Sequence, residues 1–200
     1  YQPSRGLGDV YKRQILDKTK LQRLRLSSID CVEIDEQFDE VLKDQRVMPH
    51  LHLSIQSGDD MILKRMKRRH NSKDVFEFVE HCKKIREDVS FGADIIAGFP
   101  TETDEMFDNT YRLLKENEIS HLHIFPFSPK NNTPASRMPQ VSKLIIKKRA
   151  KNLRELGELI LKKVKSKLFL PRDVLIEELS LGLAVGLSLI HISEPTRRLV

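Results

Sequence analysis

Histidines, carboxylates, one glutamine and a pair of phenylalanines are the side chains whose types and spacing could do chemistry in this 200-residue chain. His50 and His52 alternate within a short apolar run, as do His121 and His123. Each pair presents two imidazoles on one face of a strand, as a metal ion would require. No carboxylate or thiol motif accompanies either pair, and imidazoles at polar strand-start positions explain them equally, so no metal ligand is assigned. Asp59 with Asp60, and Glu102 with Asp104, are spaced as acid and base partners. Both pairs open helices, where carboxylates cap free amides, and capping is their expected role. Gln56 precedes Ser57-Gly58-Asp59; turn formation accounts for the last three, which leaves the Gln56 amide free to meet a sugar or a carboxylate. Phe125-Pro126-Phe127 offers aromatic surface suited to a flat ring, although packing uses such surface as readily. Catalytic residues are not assigned.

Strand and helix signals alternate around these groups. Residues 23–29 alternate charged and apolar and predict a strand ending at Ser27 and Ser28; Ile34, Phe38, Val41 and Leu42 recur at helical spacing. Residues 50–56 form a second strand, a turn at residues 57–60 leads into an Asp-capped helix over 61–68, and Val75, Phe76, Val79, Cys82 and Ile85 mark another helix capped by Asn71 or Ser72. The organising stretch is Phe91-Gly-Ala-Asp-Ile-Ile-Ala-Gly-Phe-Pro-Thr-Glu-Thr103. Its apolar run at 93–97 predicts a parallel strand buried on both faces. Gly98 and Pro100 break that strand, and Thr101 or Thr103 caps a helix through Phe107, Tyr111 and Leu114 that ends near Asn117. Residues 119–127 form a fourth strand. Such a succession predicts a parallel α/β sheet, TIM-like or doubly wound, with ligands at the carboxyl ends of the strands. A long basic helix follows over residues 141–167, with Leu153, Leu156, Ile160 and Val164 on its apolar stripe.

The composition, 39% hydrophobic and 32% charged with a net charge of +6, describes a soluble globular chain. No apolar run is long enough to cross a bilayer. Two cysteines, Cys31 and Cys82, provide neither a disulfide framework nor metal spacing, which suits a reducing cytoplasm. The basic excess gathers at residues 64–69 and 143–167, as solvated helix faces or as a surface for a polyanion. Residues 1–14 and 188–200 resemble translated library-adapter sequence or disordered termini and are set apart. That leaves half a barrel over residues 15–140, a linking helix over 141–170 and the start of a small β domain over 171–187.

Five blocks in order carry a resemblance: Arg25-Leu-Ser-Ser-Ile-Asp, Pro49-His-Leu-His-Leu-Ser-Ile-Gln-Ser-Gly-Asp, Leu63-Lys-Arg-Met-Lys-Arg-Arg, Asp94-Ile-Ile-Ala-Gly-Phe-Pro-Thr-Glu-Thr and His121-Leu-His-Ile-Phe-Pro-Phe-Ser-Pro. Together they resemble the radical S-adenosylmethionine methylthiotransferases. Thr133-Pro-Ala-Ser-Arg-Met-Pro-Gln-Val141 is most similar to the members that modify threonylcarbamoyl-adenosine beside the anticodon of tRNA. Members acting on isopentenyl-adenosine in tRNA, or on a ribosomal protein, are less similar.

The resemblance implies a partial radical-SAM barrel, here its later strands only, a small C-terminal TRAM domain that grips RNA, S-adenosylmethionine and, in the full-length parent, two [4Fe-4S] clusters. It implies that Gln56 faces the ribose or methionine portion of the cofactor. Ile96 and Gly98 would back the adenine, Phe125 and Phe127 would close it, and Ser28 would lie on the same rim. Asp94 stands where radical-SAM enzymes commonly carry Gly. The basic cluster Lys67, Arg68 and Arg69 is expected to meet tRNA phosphate. Both cysteine sets of the family are missing, so the cluster-binding Cys-x-x-x-Cys-x-x-Cys loop is expected ahead of residue 15 and the chain alone is expected to be inactive. The readings from other classes are a non-catalytic RNA-binding module and a TIM-like enzyme of small-molecule metabolism.

Overall fold

A computed structural model describes residues 7–32, 36–166, 175–180 and 183–187. Four parallel strands, β1 (Leu24–Ile29), β2 (Val47–Gln56), β3 (Ser90–Ala97) and β4 (His121–Pro126), lie side by side in chain order. The helices are α1 (Leu7–Lys18), α2 (Glu36–Lys43), α3 (Asp60–Arg65), α4 (Ser72–Ile85), α5 (Asp104–Glu116) and α6 (Lys143–Ser166). A 3₁₀ turn covers Pro134–Arg137, and β5 (Leu175–Ser180) pairs antiparallel with β6 (Leu183–Leu187).

Sequence chemistry ends each helix where the fold needs it. Asp59 caps α3 by accepting from the Met61 and Ile62 amides, and Asn71 caps α4 in a capping box closed by Asp74. Thr103, rather than Thr101, caps α5. The helix expected to run to Arg68 stops at Arg65. Lys67 takes a left-handed φ of 57°, its amide bonds Lys64 O at 3.0 Å, and the Arg68 amide bonds Leu63 O at 2.9 Å. That is a Schellman ending, and it turns the second half of the basic run away from the helix face.

Apolar side chains of the helices and of one sheet face form a single core. Leu26, Leu51, Leu53, Ile55, Phe91, Ala93, Ile95 and Ala97 from the strands meet Phe38, Val41, Val75, Phe78, Val79, Leu114, Leu153 and Leu156 from the helices, and all are buried. The opposite face is uncovered: along β2 the residues His52, Ser54 and Gln56 are half-exposed between buried neighbours, and Asp94 and Ile96 do the same on β3. Among the described residues the sheet is therefore covered on one face, the arrangement of part of a TIM-like barrel. The expectation that β3 is buried on both faces is corrected accordingly. Its near-continuous apolar run arises because Ile96 lines an open concavity.

The boundary placed at residue 14 falls inside α1. Leu16 is buried in the core, and the Arg46 guanidinium donates to its carbonyl at 2.7 Å. The end of the linking helix expected at residues 167–170, the residue Ile34 expected to begin α2 and the segment 188–200 lie outside the described residues.

Candidate functional site

Three consecutive strands carry a left-handed residue at or beside their carboxyl ends. Ser28 is next to last in β1 with φ 56°, Gln56 closes β2 with φ 69°, and Gly98 follows β3 with φ 76°. Register shifts accompany the first two, between Leu26 and Ile29 and between Leu53 and Gln56, so each strand carries an extra residue at its carboxyl end. Bulges re-aim side chains at sheet rims, and non-glycine residues held at positive φ concentrate at functional sites.

A cavity of about 500 Å³ opens at these tips. Gln56, Ile96, Phe125 and Phe127 line it, four of the six residues assigned to a cofactor in sequence. Its far wall is the loop after β4, through Ser128, Lys130, Thr133 and Ala135. The loop is held by Thr133, which caps the 3₁₀ turn, and by the Phe127 amide, which bonds Ala97 O at 2.8 Å. Phe127 also sets its ring edge-on to Phe99 at 5.3 Å, whereas Phe125 is 52% exposed and presents its ring to the opening. Sequence reasoning missed Lys130 and Thr133. The Asn131-Asn132 pair was the available signal, since Asn132 turns the loop back at φ 64°.

Ser28 and Gly98 are not among the residues that line this cavity. Ser28 is exposed at the tip of β1. What approaches Gly98 closely is Ile146 of α6: a β-carbon at Gly98 would lie 2.4 Å from Ile146 Cγ1. Beneath it, Glu102 accepts from the Gly98 amide at 3.0 Å and from Arg149 at 2.8 Å. Burial pushes the Glu102 carboxyl above its ordinary range, with Arg149 pulling in the opposite direction. Glu102 is thus a buried brace between the β3 tip and α6, and Asp104, bonded to Arg149 at 2.6 Å, is exposed. The expected capping role holds for Asp59; at α5 the cap is Thr103, so it does not hold for Glu102.

The imidazoles gather on the open face. His50 bonds Ser90 Oγ at 3.0 Å and sets its ring edge-on to His121 at 4.9 Å. His52 and His123 meet one oxygen of Asp94, at 3.0 and 3.2 Å. The carboxylate that sequence motifs did not supply is brought in by strand register.

In the basic cluster, Arg68 donates to Ser54 O at 2.7 Å from a half-buried position, and Arg69 pairs with Asp30 at 3.0 Å. Lys67 is exposed. The geometry therefore ties Arg68 to the backbone of β2 and separates the three.

One-sided parallel strands with a cavity at their tips form a TIM-like partial barrel. The chain belongs to the radical SAM superfamily, whose family model matches residues 10–114. It is 58% identical over 149 residues to the Threonylcarbamoyladenosine tRNA methylthiotransferase MtaB of Rickettsia prowazekii, covering 74% of this chain and 35% of that protein. It is 36% identical over 148 residues to the MtaB of Bacillus subtilis (73% and 33%), and 35% identical over 138 residues to the tRNA-2-methylthio-N(6)-dimethylallyladenosine synthase of Ehrlichia canis (68% and 31%). The expected methylthiotransferase resemblance is borne out, and the chain spans about a third of the length of these relatives. Among solved structures, coproporphyrinogen III oxidase (HemN) from Escherichia coli, a radical SAM enzyme, matches in fold with a TM-score of 0.62 and 15% identity over 79% of this chain and 38% of that one.

The two cofactor types this superfamily implies fare differently here. An adenine-bearing sulfonium compound fits the cavity, which offers apolar walls, an accessible phenyl ring and one amide. An iron-sulfur cluster does not fit the cysteines present. Cys31 and Cys82 are buried in the core, where burial pushes both thiols up to about 12 and keeps them protonated, and a cluster needs thiolates.

Proposed function

We propose that this chain is the later part of the barrel of a tRNA methylthiotransferase that adds a methylthio group to threonylcarbamoyl-adenosine beside the anticodon. The observation that carries the reading is the convergence of Gln56, Ile96, Phe125 and Phe127 on one cavity at the strand tips. S-adenosylmethionine, when bound and reduced by an iron-sulfur cluster, supplies a radical able to break an unreactive C–H bond. This chain contributes the cradle. Ile96 and Phe125 cover the adenine faces and exclude water, and the Gln56 amide fixes the ribose or the methionine portion. The positive φ of Gln56 holds that amide at the rim. In this proposal the cluster ligands, for two [4Fe-4S] clusters, come from sequence outside these 200 residues, tRNA is the partner, Lys67 contributes to its grip, and the setting is the cytoplasm. β5 and β6 would begin a TRAM-like RNA-binding domain.

Binding by this chain separates the cradle from the chemistry. Titration with S-adenosylhomocysteine, followed calorimetrically, is expected to show one site, weakened about tenfold or more by Phe125→Ala and by Gln56→Leu, the loss expected when an aromatic wall or a buried polar partner is removed. Unchanged affinity in both variants would sink the cradle. The substrate is read in cells lacking the native enzyme: the corresponding full-length protein should restore a methylthio group on threonylcarbamoyl-adenosine, seen by mass spectrometry of digested tRNA. A group gained on isopentenyl-adenosine would favour the other tRNA-acting branch.

A further inference from the structure

We propose that His52, Asp94 and His123 form a mononuclear site for a divalent transition metal on the open face of the sheet, one layer below the cofactor cavity. The three residues come from three adjacent strands, β2, β3 and β4, and Asp94 is the direct register partner of His123. Their donor atoms all lie within 4.8 Å of one another, and they are the one such group found among the described residues.

The spacing has the size a metal requires. Two donors each about 2.0–2.1 Å from a common ion, at tetrahedral or octahedral angles, stand about 2.8–3.4 Å apart. His52 Nε2 and His123 Nδ1 lie 3.0 and 3.2 Å from Asp94 Oδ1. The remaining edge, between His52 and His123, is no longer than 4.8 Å. The His123 side chain is 63% exposed and His52 is 14% exposed, so His52 is the fixed ring and His123 the one with room to adjust. Gly92 makes the fixed ring possible, because a β-carbon there would stand 2.8 Å from His52 Nδ1.

Two imidazoles and one carboxylate are borderline donors that suit Zn²⁺, Fe²⁺ or Co²⁺ and discriminate against Mg²⁺ and Ca²⁺. With all three donors on the sheet, the remaining coordination positions face the concavity. They are suited to water or to an oxygen ligand such as a carboxylate. Asp94 and Ile96 are two residues apart on β3, so the ion would lie about 7 Å below the cavity layer. With no ion bound, both rings donate to the same carboxylate oxygen. The site stands independently of what the cavity binds.

Zn²⁺ titrated calorimetrically into the full chain, with Co²⁺ followed by visible absorption, tests the site. One ion per chain is expected, with no competition from Mg²⁺. Asp94→Asn and His123→Ala should each weaken it by at least about tenfold. His81→Ala should leave it unchanged, since that residue pairs with Asp39 at 2.8 Å away from the cluster. Far-ultraviolet circular dichroism checks that the variants are folded; Asp94→Asn keeps the side-chain shape and decides the matter if His123→Ala does not fold. Absence of saturable uptake, or uptake undiminished in the folded variant, overturns the proposal.

Discussion

Glu102 is a single carboxylate whose environment decides the behaviour of a whole corner. Its side chain and that of Arg149 are 2% and 6% exposed, so removing the cation leaves a buried carboxyl without its counter-charge. The folded-state carboxyl already lies above its ordinary value because burial outweighs Arg149. A carboxyl raised in this way binds its proton more tightly folded than unfolded, so its contribution to stability falls as pH rises through the folded value. Arg149→Met should therefore cost about 3 kcal/mol near pH 8 and less near pH 5, because acidification favours the protonated carboxyl, which needs no counter-charge. Urea unfolding at the two pH values measures this, and an equal cost at both would absolve Glu102. Sequence spacing presented Glu102 only as half of a pair at a helix start; the partner that redefines it lies 47 residues away. Gln56, Phe125 and Phe127 were legible as strand-tip side chains, because the ends of parallel strands can be found from hydrophobic runs and breakers, whereas Ile96 was indicated only by the family resemblance.

At the scale of elements, α6 docks its first turns onto the tip of β3 through Ile146 and Arg149. Gly98→Ala should cost about 2–4 kcal/mol, combining a left-handed backbone penalty of about 1–2 kcal/mol with overpacking against Ile146. In an Ile146→Ala background the overpacking part should shrink, because the 2.4 Å contact with Cγ1 is lost, while the backbone part stays, and a double-mutant cycle reads the difference. Lys67 ends α3 in the left-handed conformation that glycine adopts freely. Lys67→Gly should accordingly raise stability by up to about 1 kcal/mol. If Lys67 meets tRNA phosphate, the same change should weaken tRNA binding and lower the slope of log affinity against log salt by about 1. Stability rising while affinity holds would assign Lys67 to the helix end alone. The early stop of α3 was not legible, since Lys is a good helix former and the Schellman ending depends on tertiary placement of Arg68.

For the molecule as a whole, the four-stranded sheet has two flanking strands, β1 and β4, and a concave face that no helix covers among the described residues. Unpaired strand edges template association. Sedimentation velocity is expected to show concentration-dependent self-association of this chain in the micromolar range, and a monomer persisting to about 100 µM would count against that. The alternation of strand and helix, and hence the parallel sheet, could be read from apolar period and capping residues. Whether helices covered one face or both could not, because the apolar run through Asp94 to Ala97 is compatible with either.

What the amino-acid sequence determined by itself is local: where strands and helices lie, that an aspartate caps α3, which positions break β3, and which side chains stand at the strand tips. These follow from backbone preferences and short-range hydrogen bonds, which need no distant partner. The tertiary structure alone decided that Glu102 braces α6 and that Asp94 meets His52 and His123. Parallel strands join through long crossovers, so a residue's cross-strand neighbour depends on how separate segments slide into register, and side-chain alternation along one strand carries no information about the next.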